Sequence, residues 1–320
     1  MKIFFHLGYP RTGTTFLQTY IFPQHKQINF LGPRNYSNPN DIKISQGVLD
    51  QFSNFYFLRK TDNDLVKKTI KFFDKDKINI ISTESYLEYI NDINNFYDCK
   101  FIEELFLEQN VELSFIITLR NQYDLIKSIY YHIYADLSKF LNIKNFEKLV
   151  NLMNSDLENN ISNFPLRLFL NKFNFNVVNN KLTRLFRNSK IKYLFYEDLK
   201  FNKDIFINNF CNFLDLNKTY TKNLFNHPII NQHKSDAKHD FVISPMMHKI
   251  INHKNFIAIK NKLPLNLKSN LKEFYNKKIL YKKINKIVNE EKLKNIVKNY
   301  YKESNLVFFQ KLKLENKFNY

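Results

Sequence analysis

Short apolar runs alternate with stretches of helical periodicity along this chain. Ile3 to Leu7, Lys77 to Ser82, Val111 to Leu119 and Ile191 to Phe195 are each long enough for a buried strand and rich in branched or aromatic residues. Between them, residues 48–58, 63–74, 101–107, 144–153, 165–173, 176–187 and 204–214 carry apolar side chains at helical spacing. Asn121 to Phe140 reads as a long helix with Leu125, Ile129, Ile133 and Leu137 on one face. Residues 27–46 and 226–245 are mixed and polar, and read as loop. The rest of the C-terminal part reads as helical, with Leu293, Ile296, Val297, Tyr300 and Tyr301 fitting the i, i+3, i+4, i+7, i+8 template. Strands in alternation with helices predict an α/β fold: a central parallel sheet flanked by helices, with ligands at the carboxyl ends of the strands. No 20–50-residue repeat interrupts the pattern, and residues 1–320 are expected to form a single domain with 241–320 packed on it as a basic helical portion.

Three polar residues lie just after predicted strands: Arg11, Glu84 and Arg120. The first belongs to a loop bracketed by Gly8 and Gly13, with a helix predicted from Thr14 to Tyr20. A strand, a glycine-bearing loop and a helix start make an anion cradle, because loop and helix N–H groups point inward and the helix dipole favours negative charge. Glycine permits close backbone approach, and Thr12, Thr14 and Thr15 bring hydroxyls. A nucleotide triphosphatase loop would carry Lys followed by Ser or Thr after the second glycine. Here Thr14 occupies the lysine's place and the basic residue, Arg11, lies inside the loop. That suits a grip on one terminal anionic group beside a guanidinium rather than Mg-assisted phosphoryl transfer.

Charge adds a second theme. The formal net charge is +19, and residues 241–320 hold 18 Lys and no Arg against 5 Glu and no Asp, a net +13. A lysine-rich solvated surface, raised by a bias towards Lys, Asn, Ile, Phe and Tyr, accounts for this; the alternative is attraction to an acidic partner such as an anionic membrane. No aromatic–basic RNA motif or helix-turn-helix signature supports nucleic acid. The two cysteines, Cys99 and Cys211, suggest neither a disulfide framework nor a thiolate metal site. No apolar run reaches the roughly 18 residues of a membrane span. With no secretory signal before the loop, a cytoplasmic protein is expected, with peripheral contact at the inner face of a membrane as an option.

A second constellation follows the third strand. Arg120 ends it, and Ser128 is eight positions on, within the next helix. A guanidinium and a hydroxyl so placed can grip one phosphate together. The pair Tyr-Pro-Arg-Thr-Gly-Thr-Thr (9–15) and Leu-Arg-Asn-Gln-Tyr-Asp-Leu-Ile-Lys-Ser-Ile-Tyr (119–130) resembles the two donor-binding motifs of the sulfotransferases, closest to bacterial members. Residues 191–216 and Glu303-Ser304-Asn305-Leu306 resemble later parts of that family's pattern, so the likeness runs over nearly the whole chain. The resemblance implies a P-loop-like sulfotransferase fold and the donor 3′-phosphoadenosine 5′-phosphosulfate (PAPS), leaving adenosine 3′,5′-bisphosphate as product. It places Pro10, Arg11, Thr12, Gly13, Thr14 and Thr15 at the 5′-phosphosulfate, and Arg120 and Ser128 at the 3′-phosphate. The family usually has Lys where this chain has Arg11; arginine keeps the charge but gives up no proton, so the role implied is electrostatic. A general base is needed for the acceptor, and Glu84 in Ser82-Thr83-Glu84 is the candidate, against a plain helix-start carboxylate. The acceptor suggested is a hydroxyl or amine on a carbohydrate or glycolipid. No metal is expected.

Weaker candidates remain. His132 shares a helix face with Ser128, Lys234-Ser235 offers a further nucleotide contact, and Glu197-Asp198 reads as a structural turn. His227, His233 and His239 lack tight metal spacing. The competing function classes are a kinase with a degenerate phosphate loop, and a non-catalytic binder of anionic lipid or nucleic acid.

Overall fold

The computed structural model describes residues 1–9, 11–32, 67, 70–82, 100–132, 143, 145–159, 164–227, 241–243, 281–283, 289–316, 318 and 320. Five strands form one sheet: β1 (Lys2–His6), β2 (Ile28–Phe30), β3 (Ile78–Ser82), β4 (Glu112–Leu119) and β5 (Lys190–Phe195). Their order is β2-β3-β1-β4-β5, and every pairing is parallel. β1 is therefore central. The chain moves from β1 to one side of the sheet for β2 and β3, then crosses to the other side for β4 and β5. That reversal puts the topological switch point between β1 and β4, where open parallel sheets bind their ligands.

The strands are continuous apolar runs because both faces of the sheet are covered. On one face, Phe4, Ile80, Ile116 and Leu194 pack with Phe206, Phe210 and their neighbours from the helix Lys203–Leu214. On the other, Phe5 stacks on Phe115 at 5.6 Å, and Phe115 meets Phe186 at 4.5 Å. The expected fold class, a central parallel sheet flanked by helices, is what is observed.

The described residues group into two compact units. The first comprises 1–121, 168–230 and 304–320 and contains the sheet; the second comprises 122–167 and 231–303. Within the second, the helix Gln122–His132 is tied to the start of the helix Glu290–Lys311. Lys127 Nζ donates to Glu290 Oε1 at 2.7 Å, and Tyr123 Oη donates to the same oxygen at 3.2 Å. Hydrogen bonding from Lys127 holds the Glu290 carboxyl below the usual range.

Several elements differ from the sequence reading. Ile28–Phe30 is a strand where loop was expected, and Lys218–Leu224 is a helix that periodicity did not mark. The C-terminal part is not wholly helical: Tyr281–Lys283 pairs antiparallel with Phe241–Ile243. Strands of three residues are too short to display a period of two, and this pairing is non-local. The helix predicted over 48–58, most of that over 63–74, and the end of the long helix beyond residue 132 lie outside the described residues.

Candidate functional site

β1 ends at His6, and the chain leaves the sheet through Leu7, whose N–H still donates to the Ile116 carbonyl at 2.7 Å. The loop that follows is built around two close approaches. A methyl group on Gly8 would lie 2.2 Å from Thr14 Oγ1, and one on Gly13 would lie 2.6 Å from a Leu199 methyl. Gly13 also has φ +84°, the left-handed region natural to glycine. Tyr9 is buried and anchors the loop from below, its hydroxyl donating to the Lys172 carbonyl at 2.8 Å. Burial raises the Tyr9 pKa, so it remains a neutral donor. Thr12 turns inward and donates to the Tyr9 carbonyl at 2.6 Å. Thr14 is buried and Thr15 half-buried.

Arg11 is exposed, with φ 70°. The helix it precedes has three α residues, Thr14–Phe16, and then widens into a π turn over Leu17–Ile21, closed by Phe22 N–H to the Leu17 carbonyl at 2.8 Å. The sequence predicted a plain helix here. The Gly13 carbonyl accepts from the N–H groups of Phe16 at 3.0 Å and Leu17 at 3.2 Å, and a helix supplies no acceptor for the N–H groups before them.

Arg120 stands at the exit of β4. Its Nη1 donates to the carbonyl of Arg11 at 2.9 Å, and its guanidinium lies over the Tyr196 ring at 4.9 Å. Its Nε is buried and has no acceptor among the described residues. Arg120 thus reaches the backbone of the β1 loop at the switch point. Behind them, Glu197 Oε1 accepts the Asn121 N–H at 2.8 Å, and its other oxygen accepts the Tyr320 hydroxyl. Burial raises the Glu197 pKa, opposed by these hydrogen bonds and by the Arg120 charge. Residues 196–201 form a helix directly after β5, with Asp198 buried.

No protein-family model matches the chain. No curated protein matches it. Among solved structures it is similar to a sulfotransferase from Alicyclobacillus acidocaldarius at 12% identity and a TM-score of 0.49, over 99% of this chain and 97% of that one. A likeness of that degree decides nothing about the residues above.

Of the remaining sequence candidates, Ser128 is half-buried on the helix Gln122–His132, in the second unit. Pro10, Glu84, His233, His239 and Lys234-Ser235 lie outside the described residues, as does the side chain of His132. His227 stacks on Tyr20 at 4.8 Å. Cys211 is buried, and burial raises its thiol pKa. Among the described residues, no group of three or more His, Cys, Asp or Glu could hold a metal ion, and no helix is long and apolar enough to cross a membrane.

Sequence reasoning missed a polar network at the same strand ends. His6 Nδ1 lies 2.7 Å from Ser82 Oγ and its Nε2 lies 3.1 Å from Thr118 Oγ1. Gln18 Nε2 donates to Ser82 Oγ at 2.9 Å and to the Ser82 carbonyl at 3.2 Å. All four side chains are buried. The assignment that suits this network has Ser82 donating to Nδ1 and Nε2–H donating to Thr118. Burial pushes the His6 pKa down to about 3, so the imidazole is neutral. A signal was available: Phe-Phe-His, Ile-Ile-Ser and Ile-Ile-Thr each put a polar residue at the carboxyl end of an apolar run.

Proposed function

We propose that the protein is a sulfotransferase using 3′-phosphoadenosine 5′-phosphosulfate. The observation that carries this reading is the Arg120 guanidinium reaching the backbone of Arg11 at the β1/β4 switch point, with its Nε buried and lacking an acceptor among the described residues. One guanidinium tied to a glycine-shaped loop that carries a second, exposed arginine suits a ligand with two separated anionic groups. The spacing of 9–15 and 119–130, which resembles the donor motifs of sulfotransferases, supports the same ligand. The loop from Pro10 to Thr15 would hold the 5′-phosphosulfate, and Arg120 the 3′-phosphate.

In the reaction, an acceptor oxygen or nitrogen bonds to sulfur as the bond from sulfur to the bridging phosphate oxygen breaks. Arg11 and the loop N–H groups stabilise the charge that builds on that oxygen. The acceptor's proton passes to Glu84, which follows β3 in the chain. The acceptor class that fits the resemblance is a carbohydrate or glycolipid.

Calorimetry in magnesium-free buffer tests the donor site. Adenosine 3′,5′-bisphosphate should bind better than AMP by about 2–4 kcal/mol, the contribution of charge-assisted hydrogen bonds to the 3′-phosphate. Equal affinities would overturn the assignment. Once an acceptor is found by following labelled sulfate into cell fractions, Glu84→Gln should lower kcat by roughly 10²–10⁴-fold with donor binding kept.

A further inference from the structure

We propose that Arg120 is also a positioning residue for the β1 loop, so that one guanidinium couples the two ends of the donor; this rests on the donor-site reading above. Arg11 holds φ 70°, a conformation that a residue with a side chain keeps only where its surroundings impose it. Two hydrogen bonds impose it here. Thr12 Oγ1 donates to the Tyr9 carbonyl at 2.6 Å on one side of Arg11, and Arg120 Nη1 donates to the carbonyl of Arg11 itself at 2.9 Å.

An aromatic ring fixes the guanidinium as well. The Tyr196 ring lies 4.9 Å from it. The same ring borders the loop, since a methyl on Gly13 would lie 3.5 and 3.6 Å from two of its carbons. Arg120 is therefore wedged between the loop backbone and an aromatic face, and its Nε remains without an acceptor among the described residues. The guanidinium is a rigid plane with five donors, so it moves as one body. An anion held by its remaining donors steadies the Nη1 bond to Arg11, and an anion held by the loop N–H groups keeps the loop in the conformation that presents the Arg11 carbonyl to Nη1. Coupling of this kind is reciprocal. It has a consequence that a plain 3′-phosphate ligand lacks: Arg120 matters to a nucleotide that has no 3′-phosphate.

Adenosine 5′-phosphosulfate is such a nucleotide. Its affinity is measured by calorimetry for the wild-type protein, Arg120→Ala and Arg120→Lys, with thermal unfolding run alongside. Both variants should bind it at least fivefold more weakly, and the loss should persist at 0.5 M salt, where long-range charge effects are screened. Arg120→Lys keeps the charge and loses the fork, so it decides the matter if Arg120→Ala does not fold. Wild-type affinity for adenosine 5′-phosphosulfate in Arg120→Lys, or a loss that vanishes at high salt, overturns the coupling. The donor-site reading fails on a different measurement, equal binding of adenosine 3′,5′-bisphosphate and AMP by the wild-type protein.

Discussion

His6 and Arg120 stand at the carboxyl ends of neighbouring strands, β1 and β4, and they are provided for in opposite ways. Both ring nitrogens of His6 have partners inside the protein, and the ring is neutral and buried. Arg120 has one donor tied to the Arg11 carbonyl and a buried Nε with no acceptor among the described residues. A buried polar group left unmatched is costly and calls for an explanation. The His6 network thus works as a cross-tie between β3, β1 and β4, whereas Arg120 keeps one buried donor that nothing among the described residues takes up. Polar residues at strand ends therefore divide into two kinds, and satisfaction of hydrogen bonds separates them better than residue type does.

Removing His6 tests the first half of that comparison and should have the largest effect. His6→Ala strands the Ser82 and Thr118 hydroxyls and opens a cavity, which should cost about 3–4 kcal/mol in urea unfolding. A loss under 1 kcal/mol would mean the cross-tie is dispensable. Acid probes the same group without mutation. The folded pKa of His6, about 3, lies below the unfolded value near 6.5, so the unfolded chain takes up the proton first. Stability should hold above about pH 6.5 and fall by roughly 3 kcal/mol by pH 4, provided the fold survives that far. His25, also lowered by burial to about 4, adds to the fall. If His6→Asn melts with the same pH slope as the wild-type protein, His6 is not the group responsible.

The loop should respond less in stability and more in binding. Gly8→Ala forces a methyl against Thr14 Oγ1, 2.2 Å away, and should cost about 2 kcal/mol along with at least roughly tenfold in affinity for adenosine 3′,5′-bisphosphate. Adding Thr14→Ala removes the clashing hydroxyl and should restore most of the stability; failure to do so would place the strain elsewhere. The smallest effect belongs to Tyr196→Leu. Loss of the ring under the Arg120 guanidinium should weaken bisphosphate binding by about 1 kcal/mol, with the melting temperature nearly unchanged.

The sequence disclosed the parts of this architecture that have a period or a spacing. β1, β3, β4 and β5 were legible because a strand covered on both faces is an unbroken apolar run, and the arginines stood out because each follows such a run. β2 and the Phe241–Ile243 pairing with Tyr281–Lys283 were not, since three residues carry no periodicity and their partners are distant in sequence. The His6–Ser82–Thr118 tie escaped because it is a contact between residues 76 and 112 positions apart, invisible until the strand order puts β1 between β3 and β4. Nor could spacing reveal that Arg120 reaches the Arg11 backbone, 109 residues away.

The π turn over Leu17–Ile21 gives the chain slack at a place where it otherwise has little. A turn closed between residues five apart contains one residue more than an α turn needs. Within the turn Leu17, Gln18 and Ile21 are buried while Thr19 faces solvent. Deleting Thr19 should let the turn shrink to an ordinary α turn and keep Gln18 on Ser82 and Phe22 in the core, at a cost in urea unfolding below about 1 kcal/mol. The same deletion in β1 would shift the register of the central strand and turn its buried side chains to the opposite face. Single-residue length changes among related chains should accordingly gather just after the loop and spare the strand before it.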